Sequence, residues 1–130
     1  MENTDEISSG RTDTFSDEYI QEVLLRIGIP ANLQGFQYTI YAEKLIKENP
    51  EYMYQVTKCL YVMIAQKFHT TPSRVERSIR HAIHTGCVQN KNDFVHTLFL
   101  NSISSETGIP TNAQFLARVF YYLDAHAEEN

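Results

Sequence analysis

The sequence has no tryptophan and only two cysteines, five glycines and four prolines in 130 residues. Two cysteines, Cys59 and Cys87, cannot build the disulfide framework of a small secreted domain, so a reduced, cytoplasmic setting is expected. Long apolar runs are also missing. Stretches such as Cys59-Leu60-Tyr61-Val62-Met63-Ile64-Ala65 fall far short of the roughly 20 residues a membrane span needs, and no membrane partner is expected. The opening Met1-Glu2-Asn3-Thr4-Asp5-Glu6 is acidic and polar, the reverse of a signal peptide. There is no phosphate-cradling glycine loop, no HExxH and no GxSxG, and no nucleophile has an obvious base at useful spacing. Neither an enzyme nor a cofactor is therefore expected. Positive charge is scarce as well: 11 Lys and Arg stand against 16 Asp and Glu, a net charge of −5 that by itself argues against a polyanionic partner.

What is present is the balance of a globular protein, with 42% hydrophobic and 21% charged residues, eight tyrosines and seven phenylalanines. The length fits one domain. Residues 1–14 read as a polar, acidic tail, and residues 15–127 as one helical domain without internal repeats or strands. Ser16 caps a first helix that carries Ile20, Val23, Leu24 and Ile27 and stops at Gly28 and Pro30. A second helix is predicted from about 32 to 48, and a third from about 51 to 68 after the break at Pro50. Two signals compete for the start of the fourth: Thr71 with Pro72 at the first position, or a Ser73–Glu76 capping box. Its expected end is Gly86 as a C-cap. Phe94, Val95, Leu98, Phe99 and Ile103 mark a fifth helix, and Thr111 with Gln114 opens a sixth that carries Phe115, Leu116, Val119, Phe120 and Leu123. The fold class is all-α, with six helices.

The charge sum hides a segregation. From Lys58 to Lys91 there are six bases and one acid, Glu76, a local charge of +5; the rest of the chain, with five bases and 15 acids, carries −10. Projected at about 100° per residue, the fourth helix puts Val75, Ile79, Ala82 and Ile83 on one side. Arg74, Arg77 and His81 line the opposite side, flanked by Ser73, Ser78, Arg80, His84 and Thr85. Forked guanidiniums suit guanine O6 and N7, and a carboxylate suits cytosine N4, so the pattern fits a recognition helix in a major groove. It also fits a solvated face, in which Glu76 and Arg80 form an ordinary i, i+4 pair.

The string TTPSRVERSIRHAIHTG, from Thr70 to Gly86, resembles the recognition segment of the sporulation stage-zero response-regulator transcription factors of endospore-forming bacteria. Ile27-Gly28-Ile29-Pro30-Ala31 followed by Gly35-Phe36 resembles their first interhelical turn, and Pro110-Thr111-Asn112 with Phe115 resembles the start of their last helix. The likeness runs from about residue 17 to 124. It implies a six-helix effector domain with a helix-turn-helix at helices three and four, which binds a short box in double-stranded promoter DNA, often as tandem copies. Base reading is implied for Arg74, Arg77 and Glu76, with Glu76 facing cytosines. Backbone or groove contacts are expected from Ser73, Ser78, Arg80, His81 and His84, and from Lys67 on the preceding helix. A homodimer on tandem sites and a contact with RNA polymerase are further expected partners. Cys87-Val88-Gln89-Asn90-Lys91-Asn92 departs from the family pattern beside the polymerase-contacting surface, so what the likeness implies is DNA binding rather than activation. A phosphoacceptor receiver of about 120 residues does not fit beside this domain in 130 residues, so the chain is expected to be either a stand-alone effector or an excised one, and Met1 followed by a natural-looking tail favours the first.

The same residues admit other readings. His81, His84 and Cys87 at three-residue steps offer at most three metal ligands, where structural zinc takes four. Cys59 is expected as a small core residue. The second functional reading is a protein-interaction module, a truncated paralogue that modulates the full-length sporulation factor or competes for its sites.

Overall fold

The computed structural model describes residues 15–89, 93–99 and 108–127; the tail expected at 1–14 lies outside the described residues. Ser16 starts the first helix as its sequence predicts, its hydroxyl accepting the Tyr19 N–H at 3.1 Å. Helix α1 runs Asp17–Ile27 and ends at Gly28, whose φ of 106° places it in the left-handed region that glycine tolerates. Helix α2, Gln34–Glu48, is buried on several sides, as the spread of its apolar residues predicts. Its N-cap, Leu33, offers no side-chain cap.

The single helix expected over 51–68 is three pieces. Asn49 caps a 3₁₀ turn, Pro50–Tyr54, through its side chain, and Gln55 then leaves the helical region at φ −136°, ψ 46°. The Gln55 carbonyl accepts both the Cys59 N–H at 2.8 Å and the Leu60 N–H at 3.2 Å. The second bond spans five residues, which widens Val56–Leu60 into a π turn before α3, Tyr61–Phe68. Cys59 is correspondingly only half-buried, with its thiol on the Gln55 side-chain oxygen at 2.9 Å, rather than a core residue.

A tight turn follows, with His69 in the left-handed conformation (φ 57°). Thr71 wins the competition for the next start: its Oγ1 accepts the Arg74 N–H at 3.2 Å and Pro72 sits in the first turn of α4, Pro72–Ile83. Beyond Ile83 the chain widens into a second π turn, His84–Gln89, so Gly86 is not the left-handed cap that was expected. Gly86 answers to a different need. A Cβ there would lie 2.7 Å from Ile29 Cγ1, so only glycine lets this turn close over the α1–α2 connection. Helix α5 is Asp93–Leu98, and the expected contribution of Ile103 lies outside the described residues. Helix α6, Asn112–Ala125, opens with the capping box its sequence predicts.

Among the described residues there is no strand, and the fold is all-α. Leu24, Ile27, Phe36, Ile46, Leu60, Ile64, Ile79, Ile83, Phe99, Phe115 and Leu123 form the centre of one core. Helix α2 packs against α4, α6 and α1 and so sits in the middle of the molecule. Among the described residues no helix is long and apolar enough to cross a membrane.

Candidate nucleic-acid interface

Helix α4 is divided by its side chains into three arcs. Val75, Ile79, Ala82 and Ile83 are buried in the core, as their spacing predicts. Ser73, Arg74, Glu76, Arg77, His81 and His84 are exposed, and Ser78 and Arg80 are half-buried at the two flanks. One flank presses on α2. The backbone of Gly35 approaches so closely that a Cβ there would stand 2.3 Å from the Ser78 carbonyl oxygen and 2.9 Å from Ala82 Cβ. The other flank meets the first turn of α6: Arg80 Nη1 donates to the Pro110 carbonyl at 2.9 Å, and Asn112 Nδ2 donates to the Glu76 carbonyl at 3.1 Å and to the Tyr61 hydroxyl at 2.9 Å.

Two clefts of about 480 Å³ each follow these flanks. The first brings together Arg74, Arg77, Ser78 and His81 with Leu33, Gln34 and Gly35 at the start of α2. An uncapped 15-residue helix directs the positive end of its dipole toward two guanidiniums and an imidazole, so the cleft favours anions. The second is lined by Glu76, Arg77 and Arg80 with Tyr61, Thr111 and Asn112. Arg77 borders both and stands on the ridge between them. Lys67, in the last turn of α3, lies outside both clefts, with its ammonium 5.6 Å from the Tyr41 ring centroid. His84 also lies outside them, and Arg80 commits one guanidinium N–H to the protein itself.

The three residues that suggested metal spacing do not share a site. His81 and His84 are exposed while Cys87 is buried, where desolvation pushes its thiol up to about 12. Burial also raises the Tyr61 phenol above its ordinary value, so its hydroxyl proton stays in place between α3 and α6. Sequence reasoning missed Asn112 and Gly35 as parts of this region. The Pro110-Thr111-Asn112 string marks a helix start, but nothing in it tells that Asn112 reaches back across two other helices.

A basic helix face carried on a buried apolar stripe and held between two other helices defines an all-α domain with one anion-favouring face. The chain matches the family model described as sporulation initiation factor Spo0A C terminal over residues 20–123, and it belongs to that family. This is a family of DNA-binding effector domains of a sporulation regulator, not of enzymes.

Proposed function

We propose that this domain reads a short box in double-stranded promoter DNA, with α4 and the turn after it (residues 72–86) in the major groove and α3 across the backbone as the first half of a helix-turn-helix. The observation that carries this reading is the exposed arc of α4. Arg74, Arg77 and His81 stand free of the core, beside a cleft whose helix terminus also favours phosphate. Arg74 and Arg77 read guanines as forked donors, and Glu76 accepts from cytosine N4. Ser73, Ser78, His81, His84 and Lys67 make groove or backbone contacts, and Arg80 contributes what its bond to Pro110 leaves over.

The test is titration of the purified chain onto a family-type promoter duplex and a scrambled duplex at several salt concentrations. Arg77→Ala is expected to cost about 1–3 kcal/mol on the box alone. Equal losses on both duplexes would defeat base reading by Arg77. The same titration on a duplex with two boxes reports pairing on tandem sites. Pairing is favoured by two exposed tyrosines, Tyr54 (78% exposed) and Tyr121 (47%), which offer amphipathic rings on the outer surface. Contact with RNA polymerase would then separate activation from repression, and a transcription assay on that duplex decides between them.

A further inference from the structure

We infer that Asn112 is a positioning residue for DNA recognition: from the first turn of α6 it fixes the axial position and roll of α4, and with them the aim of Arg74 and Arg77. This rests on the reading of α4 as the base-reading helix.

Burial of Val75, Ile79, Ala82 and Ile83 holds α4 onto the core, but apolar contact is non-directional and leaves sliding and rolling only weakly opposed. Directional bonds oppose both. The Asn112 amide spends one N–H on the Tyr61 hydroxyl of α3 and the other on the Glu76 carbonyl of α4, so one side chain ties three helices together. One helical turn further along α4, on the same flank, the Arg80 guanidinium bonds the Pro110 carbonyl. Pro110 and Asn112 are themselves held in register by the capping box between them. There the Thr111 N–H donates to Gln114 Oε1 at 2.8 Å, and the Gln114 N–H to Thr111 Oγ1 at 3.0 Å. Gly35 closes the opposite flank. The exposed arc therefore emerges between two fixed walls.

The arrangement carries a stability cost. Asn112 is 8% exposed, and its Oδ1 is buried without a hydrogen-bond partner among the described residues. An apolar side chain of similar volume would avoid that orphaned acceptor. What it cannot supply is the pair of directed donors. Bidentate contacts to base edges tolerate only a few tenths of an ångström of misplacement, so a small drift of α4 weakens base contacts while phosphate attraction remains.

The experiment uses the full chain with Asn112→Leu, which keeps the volume and removes both donors, and with Tyr61→Phe, which removes one partner and keeps the ring. At a temperature where circular dichroism shows native helicity, Asn112→Leu is expected to lose about tenfold in affinity for the promoter box, with the scrambled duplex changed by less than about twofold. Tyr61→Phe should lie between it and the wild type. A folded Asn112→Leu with an unchanged ratio of box to scrambled affinity overturns the proposal. Should Asn112→Leu not fold, Tyr61→Phe alone decides by the same ratio. A wild-type chain that binds both duplexes equally defeats the base-reading role of α4 instead. The clamp is then judged without DNA by amide hydrogen exchange. Asn112→Leu should speed exchange over residues 77–83 by about threefold or more relative to α2, and unchanged exchange overturns the clamp.

Discussion

Glu43 is the residue whose behaviour departs most from its type. It lies in α2 with no exposure, and neither carboxyl oxygen has a hydrogen-bond partner among the described residues; the Thr39 hydroxyl, one turn earlier, is orphaned too. Desolvation by burial pushes the carboxyl well above its ordinary range, so the folded protein holds it neutral. Above the ordinary value of about 4.3 the unfolded chain has released this proton while the folded chain keeps it. The folded state then binds more protons, and stability falls as pH rises, up to the raised folded value. Glu43→Gln removes that dependence. Urea unfolding across a pH series should show Glu43→Gln gaining on the wild type above about pH 4.3, by at most about 1.4 kcal/mol per pH unit. A gap that stays constant with pH would show that Glu43 is charged when folded. The helical period places it on the side of Phe36, Ile40 and Ile46, but its charge and its chain neighbours point the other way. A glutamate among Tyr41, Lys44 and Lys47 reads as a solvated position until α4 and α6 close over α2. Arg74, Arg77 and His81 were legible for the opposite reason: a helix face that stays exposed needs only the 3.6-residue period to be seen.

At the scale of elements, legibility followed local chemistry. Ser16, Thr111 with Gln114, and Gly28 act through bonds within a few residues of themselves, and α1 and α6 begin or end where those residues stand. The start of α4 stayed ambiguous between Thr71 and Ser73, because both offer a hydroxyl three residues before an N–H. The structure resolves it through Thr71, whose hydroxyl accepts the Arg74 N–H, with Pro72 at the favoured first position. The π turn at Val56–Leu60 and the true role of Gly86 were not legible. The first depends on one carbonyl serving two N–H groups, and the second on isoleucines more than fifty residues away. Gly35 teaches the same lesson about element packing. It is a helical residue, where alanine normally helps by about 1 kcal/mol, yet the space for a methyl is already filled by the Ser78 backbone. Gly35→Ala must therefore push α2 off α4, and a loss of about 1–3 kcal/mol is expected in urea unfolding. A neutral or stabilising outcome would show that the α2–α4 approach is loose, and that α4 is held from the α6 side only.

For the whole molecule the governing fact is where its charge lies. A sum of −5 hides +5 across residues 58–91 and −10 elsewhere, so phosphate attraction is concentrated in that window and the acidic remainder opposes binding to DNA. Each phosphate that a lysine or arginine neutralises should add about 0.9 to the slope of log affinity against log salt. If Arg74 and Arg77 are engaged by bases, as proposed, few cations remain for the backbone. A shallow slope and weak binding to random duplex follow. Lys67 offers the cleanest probe, because it lies outside both clefts with its ammonium over the ring of Tyr41. Lys67→Ala is expected to weaken box and scrambled duplex by the same factor and to lower the salt slope by about one, the signature of a lost phosphate contact. Arg77→Ala should do the reverse, lowering affinity for the box and leaving the scrambled duplex almost untouched. Measured side by side over a salt series, the two variants separate positioning on the backbone from reading of bases. If both shift the two duplexes alike, α4 contributes charge to this molecule but not sequence recognition.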